Sequence, residues 1–285
     1  MKRILVTGAH GYIGTSFARY LQQWPKKYQS DMISLRTDEW RNYSFVGYDA
    51  VFHAAGIVHQ KETNKNAALY YEINRDLTID VARKAKNSGV QQFIFLSSMS
   101  VYGVDSGVIT KTTLPAPKTN YGRSKWEAEL GLIKLQDENF KVSILRPPMV
   151  YGKGCKGNYP LLVKIAQILP VFPYVENERS VLYIDNLCEF VRLIIENCEQ
   201  GIFYPQNSEY GNTAELVELI AQTHGKQIYL IKGLTPLLKF ASFFVPAVNK
   251  AFGSLSYDKE ISQYISPYQL IGTGHSIKHT EGSVD

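Results

Sequence analysis

The sequence predicts an α/β protein: a doubly wound parallel sheet followed by a smaller C-terminal lobe. Three observations predict it. The first fourteen residues read as strand, glycine turn and helix. Short apolar runs then alternate with amphipathic helical stretches up to about residue 150, the pattern of right-handed parallel crossovers. Beyond that point the alternation loosens into a polar glycine loop and separate helices. The 285 residues suffice for a nucleotide-sized core with a second lobe.

In Met1-Lys-Arg-Ile-Leu-Val-Thr-Gly-Ala-His-Gly-Tyr-Ile-Gly14, the run Ile4-Leu5-Val6 is a buried parallel strand. Gly8, Gly11 and Gly14 follow at G-x-x-G-x-x-G spacing, and Ile13, Phe17, Ala18 and Leu21 continue at helical spacing. Such a turn lets backbone approach a pyrophosphate, and the first helical N–H groups, at Tyr12, Ile13 and Gly14, face it from the positive end of the helix. A second strand is expected over Met32–Leu35. A dinucleotide fingerprint wants an acid near its end to hold the adenosine ribose. Ser34 stands there instead, with Asp31 too early and Asp38 already in the loop. Arg36 has two readings, a contact to a 2′-phosphate or a solvated loop charge, so NAD and NADP both stay open.

Ala50–His53 is a third strand, running into the small-residue turn Ala54-Ala55-Gly56 that backbone and cofactor can pass closely. His53 reads as structural and His59 as a surface loop residue. Asn66–Lys86 is a helix with Asn74 at its middle, where Asn is a poor former; that points to a positioned side chain. Gln92–Leu96 is a fourth strand, emptying into Ser97-Ser-Met-Ser100. A helix opens at Tyr121-Gly-Arg-Ser-Lys125 and runs to about Asp137; Val142–Leu145 is a fifth strand. Ligands of such sheets bind beyond the carboxyl ends of strands, so Gly8–Gly14, Ser97–Ser100 and Pro147–Gly152 are expected on one rim. Further helices are expected near Pro160–Leu169 and Asn186–Asn197. Another starts at Asn212-Thr-Ala-Glu215 with an N-cap and an acid three residues on, and ends near Gly225. The polar tail from Gly272 is expected to fray.

Composition narrows the function. The net charge is +5 with no basic stripe, so nucleic acid is not implied. Cys155, Cys188 and Cys198 are odd in number and lack metal spacing, which points to free thiols, a reducing compartment and no metal site. A strand begins almost at the first residue, leaving no room for a signal peptide. No stretch of about 18 apolar residues appears. Leu234–Phe252 comes nearest but is broken by Pro and Lys, and reads as a core or subunit-contact helix before a membrane-surface one.

The chemistry centres on Ser98, Tyr121 and Lys125. Tyr121 and Lys125 lie four apart and share a helix face. A free tyrosine, with pKa about 10, is too weakly acidic to serve as a base at neutral pH. A nearby ammonium and the charge of an oxidised nicotinamide favour the phenolate. Ser98 can hydrogen-bond the same substrate oxygen while a proton moves and hydride passes to the cofactor.

Together these motifs resemble the extended short-chain dehydrogenase/reductases of the NAD-dependent epimerase/dehydratase family, typified by UDP-glucose 4-epimerase. The resemblance rests on Thr7-Gly-Ala-His-Gly-Tyr-Ile-Gly14, Phe52-His-Ala-Ala-Gly56, Leu96-Ser-Ser-Met-Ser-Val-Tyr-Gly103, Tyr121-Gly-Arg-Ser-Lys125 and Arg146-Pro-Pro-Met-Val-Tyr-Gly152, and weakens after about residue 190. It implies a Rossmann domain over 1–152, with contributions to about 200, and a mainly substrate-binding lobe over 153–285. It implies that Ser98 and Tyr121 are catalytic and that Lys125 holds the nicotinamide ribose. Asn74, Pro148 and Val150 would contact the cofactor, beside Gly8, Gly11, Tyr12, Ile13, Gly14, Arg36, Ala54, Ala55 and Gly56. Met99, Ser100, Lys153, Lys156, Asn158 and Arg179 would face the substrate, with Arg179 on its diphosphate. Family dehydratases carry an Asp-Glu pair after the catalytic hydroxyl residue. Met99-Ser100 stands here, against dehydration.

The expected activity is therefore a nucleotide-sugar 4-epimerase with bound NAD, NADP being possible, on a UDP-sugar in bacterial surface polysaccharide synthesis. The alternatives are an NAD(P)H-dependent 4-ketoreductase of a UDP-linked 4-keto-6-deoxy sugar and a non-catalytic dinucleotide sensor, which would typically lack the Tyr-Lys pair. A cytoplasmic homodimer is expected, pairing through the helix from Tyr121 and the helix Asn66–Lys86, with no integral membrane segment.

Overall fold

The computed structural model describes residues 1–58, 62–63, 65–234 and 252–282. Its strands are β1 (Lys2–Thr7), β2 (Tyr28–Ile33), β3 (Ala50–His53), β4 (Gln92–Leu96), β5 (Gly107–Ile109), β6 (Lys141–Leu145), β7 (Met149–Tyr151), β8 (Val171–Pro173), β9 (Val181–Tyr183), β10 (Gly201–Phe203), β11 (Tyr229–Ile231) and β12 (Leu255–Tyr257). Its helices are α1 (Tyr12–Leu21), α2 (Ala67–Tyr71), α3 (Leu77–Asn87), α4 (Asn120–Ile133), α5 (Tyr159–Ile168), α6 (Ile184–Glu196), α7 (Thr213–Thr223) and α8 (Thr273–Glu281). They form two compact units. The first comprises Met1–Gly103, Leu114–Pro147 and Leu187–Pro205; the second Val104–Thr113, Pro148–Asn186 and Gln206–Asp285.

The first unit is a six-stranded parallel sheet in the order β10-β6-β4-β3-β1-β2. Every residue of β3 and β4 is buried, which explains their nearly unbroken apolar sequence: both faces are covered. On one face Val81, Ala82 and Ala85 of α3 and Ala128 and Leu132 of α4 close over Val51, Phe93 and Phe95. On the other, Phe17 of α1 meets Phe52 edge-on at 5.0 Å, and Phe190 of α6 meets Phe203 at 5.9 Å.

The structure departs from several sequence expectations. The second strand is Tyr28–Ile33, not Met32–Leu35. It is the sheet edge, half exposed, so its bounds follow pairing with β1 from Lys2–Tyr28 to Thr7–Ile33 rather than an apolar run. The helix expected over Asn66–Lys86 is interrupted by a π turn, Glu72–Asp76, between α2 and α3. Helix α4 ends at Ile133, before Asp137, whose carboxylate instead accepts the N–H groups of Asn139 and Phe140, both at 2.9 Å.

In the second unit, parallel pairs form between β7 and β9, β5 and β12, and β8 and β11. Asn212 caps α7, its side chain accepting from the N–H groups of Ala214 and Glu215. The tail does not fray from Gly272: α8 is anchored by buried Ile277 and by a 2.6 Å bond between the hydroxyls of Ser276 and Tyr151. Its buried face is made largely of Thr and Ser, which carries no apolar signal. His59 and positions 235–251 of the Leu234–Phe252 stretch lie outside the described residues. Among the described residues, no helix is long and apolar enough to cross a membrane.

Candidate active site

The glycine turn is fastened at the end of the edge strand. The N–H groups of Gly8 and Ala9 both donate to Ile33 O, at 3.1 and 3.2 Å, and Gly11 N–H donates to Gly8 O at 2.7 Å. Gly8 has φ +92°, and a Cβ there would lie 3.0 Å from the backbone nitrogen of Ala55. Glycine is thus required both for the turn and for its close approach to the Ala54-Ala55-Gly56 segment. Helix α1 starts with Gly11 as its N-cap, offers no capping side chain and has no acid in its first turn. That helix end suits a pyrophosphate.

Asn74 is fully buried in the π turn, a distortion frequent at functional sites. Its Oδ1 accepts Ile57 N–H at 2.9 Å; its Nδ2 donates to Ile57 O at 3.1 Å and to Ser124 Oγ at 3.2 Å. The amide therefore clamps the loop after β3 to α4. A Cβ on Gly56 would lie 2.9 Å from Asn74 Oδ1 and 3.1 Å from Lys125 Nζ, so the three form one close-packed cradle. Behind it, His53 bridges Thr7 and Thr78 through bonds of 2.9 and 3.0 Å, and Thr78 Oγ1 donates to Asn74 O. Burial, aided by the Lys125 charge, pushes the imidazole down to about 3 and keeps it neutral. Asn74→Ala strands Ile57 N–H and removes three bonds; chemical denaturation is expected to show a loss of about 2–4 kcal/mol.

Strand β4 delivers Ser98 two residues past its end. Ser98 Oγ accepts Ser100 N–H at 3.1 Å and donates to Ser100 Oγ at 3.1 Å, starting the 3₁₀ turn Met99–Tyr102. Tyr121 lies in the first turn of α4, whose N-cap Thr119 accepts Gly122 N–H at 3.0 Å. Burial and neighbouring Tyr70, whose ring stands edge-on at 6.4 Å, push the half-buried phenol above its usual pKa; the polar Ser98 side chain acts the other way. Lys125, one turn on, is only 4 % exposed. Its Nζ donates to Leu96 O at 2.9 Å, rather than to the phenol, and lies 4.6 Å from the Phe95 ring centre. Burial pushes this ammonium down to about 7, with Glu129 opposing the fall.

Beneath the site, Arg146 donates from Nε to Glu129 Oε1 at 3.1 Å and from Nη2 to Oε2 at 2.6 Å, while Nη1 donates to Tyr102 Oη at 2.7 Å. Ser97 Oγ donates to the same carboxylate. This buried network ties the ends of β4 and β6 to α4 and the 3₁₀ turn. A buried pair so fully hydrogen-bonded fixes geometry more than it adds stability.

The first unit thus brings together Gly8, Ala54–Gly56, Asn74 and Lys125 by contact, and Ser98 with Tyr121. Met99 is half-buried and Ser100 exposed in the 3₁₀ turn. Arg36 is exposed, its N–H donating to Ser34 Oγ at 3.3 Å. The second unit holds the rest. Pro148 is buried just ahead of β7, which carries half-buried Val150; Lys153, Lys156 and Asn158 are exposed on the loop to α5. Arg179 is half-buried, exchanges backbone bonds with Gly211 and donates from Nη1 to Gly253 O at 2.7 Å. Burial lowers its pKa, and Asp105 opposes that only electrostatically. Sequence reasoning passed over Ser124, the partner of Asn74. Its place between Tyr121 and Lys125 was the available signal.

The model of the NAD dependent epimerase/dehydratase family matches residues 4–204. The chain is 30% identical over 251 residues to the UDP-glucose 4-epimerase of Vibrio cholerae, covering 77% of this chain and 75% of that protein. It is 26% identical over 245 residues to an N-acetyl-alpha-D-glucosaminyl-diphospho-ditrans,octacis-undecaprenol 4-epimerase of Escherichia coli O157:H7, covering 79% and 73%. Among solved structures, the UDP-glucuronic acid 4-epimerase of Bacillus cereus in complex with NAD is similar in fold, with TM-score 0.74, 20% identity and coverage of 98% and 97%. A dTDP-4-dehydrorhamnose reductase of Clostridium acetobutylicum has TM-score 0.75, 17% identity and coverage of 98% of each chain. With the family model spanning most of the chain, and a relative 30% identical of which the match covers three quarters, this chain belongs to the NAD dependent epimerase/dehydratase family.

Proposed function

We propose that the chain is a nucleotide-sugar 4-epimerase acting on a UDP-linked hexose, in the synthesis of bacterial surface polysaccharide. The observation that carries this reading is the Ser98–Tyr121 hydroxyl pair beside the Gly56–Asn74–Lys125 cradle. The relationship to the Vibrio cholerae enzyme supports it. NAD, when bound, would supply the hydride chemistry. The residues of the first unit that would hold it are the Gly8–Gly14 turn, Ala54–Gly56, Asn74 and Lys125. Tyr121 Oη takes the proton of the sugar C4 hydroxyl and later gives one back. Ser98 Oγ bonds the same oxygen and holds it in line. Neither Met99 nor Ser100 titrates, so the second acid and base needed for dehydration are absent from that position.

Arg179 suits the substrate diphosphate: it is a half-buried guanidinium, and no ion pair to it forms among the described residues. Arg179→Met is expected to raise KM for the UDP-sugar about 10- to 100-fold, with kcat changed much less. Steady-state kinetics at saturating cofactor separates the two. Two copies would pair through the Asn66–Lys86 segment and α4, on which Leu130 and Ile133 are exposed; all three cysteines are free thiols, as suits a cytoplasmic protein.

The deciding experiment identifies the nucleotide released when freshly isolated protein is denatured. Stoichiometric NAD supports the epimerase, which regenerates its cofactor in every cycle. An empty site, or NADP, supports the second reading, a 4-ketoreductase that must exchange its cofactor. That reading is favoured by one observation: Ser34 and exposed Arg36 follow β2 where a ribose-binding acid would stand.

A further inference from the structure

Helix α4 carries Tyr121 in its first turn, and helix ends leave their first N–H groups without intrahelical acceptors. Thr119 satisfies Gly122 N–H from within the chain segment. The other two are taken from far away in sequence. Glu62, in the loop between β3 and α2, accepts Asn120 N–H at 2.9 Å and Asn120 Nδ2 at 3.2 Å on Oε2, and accepts the N–H of Tyr121 itself at 2.9 Å on Oε1. Asn120 Oδ1 in turn accepts from Tyr71 Oη at 3.1 Å. The Glu62 charge also faces Tyr70, whose ring stands edge-on against Tyr121. One carboxylate therefore holds the backbone of Tyr121, the side chain of its neighbour and the surroundings of the ring packed on it.

We propose that Glu62 is a positioning residue for Tyr121. It fixes the first turn of α4 so that the phenol meets the substrate hydroxyl at bonding distance. It does not touch substrate, and it acts through Tyr121. A carboxylate suits this position: its two oxygens span two successive N–H groups, and its charge matches the positive end of the helix. Displacement of a reacting group by about 1 Å costs on the order of 100-fold in rate, so loss of the clamp is a kinetic event before it is a folding one.

The inference rests on the reading of Tyr121 as the proton-transferring group, and the experiment separates the two. Glu62→Ala is expected to lower kcat for a UDP-hexose about 10- to 100-fold with KM within about twofold. Glu62→Gln keeps one acceptor oxygen but sets an amide donor against the second N–H, and recovers part of the loss. In a Tyr121→Phe background, Glu62→Ala costs nothing further, as two residues acting as one unit require. Amide hydrogen exchange at Tyr121, read by NMR on the cofactor-free protein, quickens in Glu62→Ala and less so in Glu62→Gln. Unchanged kcat, a rise in KM alone, or a full loss persisting in the Tyr121→Phe background overturns the proposal. If the unmodified chain turns over no nucleotide sugar, the epimerase reading fails. The amide exchange then decides Glu62 separately: an unaltered Tyr121 rate in Glu62→Ala overturns the clamp.

Discussion

Tyr121→Phe is expected to lower kcat by about three orders of magnitude while leaving cofactor affinity and thermal stability close to those of the unmodified chain. The substitution deletes one oxygen. The ring remains, with its 6.4 Å edge contact to Tyr70, and the backbone bonds of the first turn of α4 are untouched. What disappears is the atom proposed to take and return the proton. A pH profile sharpens the prediction. In the cofactor-free chain burial raises the Tyr121 phenol above its usual value, which favours the protonated form. The positive nicotinamide favours the phenolate, so kcat rises with pH along an acid limb that belongs to Tyr121. Residual turnover in Tyr121→Phe has no such limb. Stopped assays across pH 6 to 9 at saturating cofactor would read both effects; turnover within fivefold of the unmodified chain would remove Tyr121 from the chemistry.

Lys125→Met has the second largest effect, and its two consequences run in opposite directions. Turnover falls on the order of 100-fold, because the ammonium held beside Gly56 and Asn74 is lost from the cradle that would grip the nicotinamide ribose. The cofactor-free protein, by contrast, becomes more stable near neutral pH relative to the unmodified chain. Burial pushes Lys125 down to about 7, whereas an unfolded lysine titrates near 10.4. Between these values the unfolded chain holds more protons than the folded one, so the stability of the unmodified protein rises with pH across that window and the penalty is fully present below it. The stability difference between Lys125→Met and the unmodified chain therefore shrinks by about 3 kcal/mol from pH 7 to pH 9.5. The bond that Leu96 O loses in the variant adds an offset that does not change with pH. Denaturant titrations at four or five pH values give the slope. A difference independent of pH would show that the buried amine is not charged in the unfolded reference, or not depressed in the fold.

Much of the site was legible because its signals are local. A glycine turn between a strand and a helix, a serine past a strand end, and Tyr and Lys one helical turn apart each lie within a short stretch whose chemistry follows from neighbours in sequence. Asn74 was visible for a related reason, as a poor helix former in mid-helix, although the π turn that buries it was not. The structure went against the sequence where burial is achieved by residues without an apolar signature. The edge strand β2 is set by pairing to β1, and α8 is held by Ser276 and Ile277 against a polar background.

The sequence by itself determined the class of sheet, its alternation with helices and the glycine turn, and it singled out Ser98, Tyr121 and Lys125 as candidates. These follow from periodicity and from chemistry carried by contiguous residues. Only the tertiary structure decided what holds them. Asn74 meets Ser124 across 50 positions, Thr7 meets His53 across 46, and Glu62 reaches Tyr121 across 59. Each is a polar bond between elements that come together only when the sheet and its helices close. Such bonds leave no periodic trace in the sequence, because a lone loop glutamate or a mid-helix serine looks the same whether or not it has a distant partner.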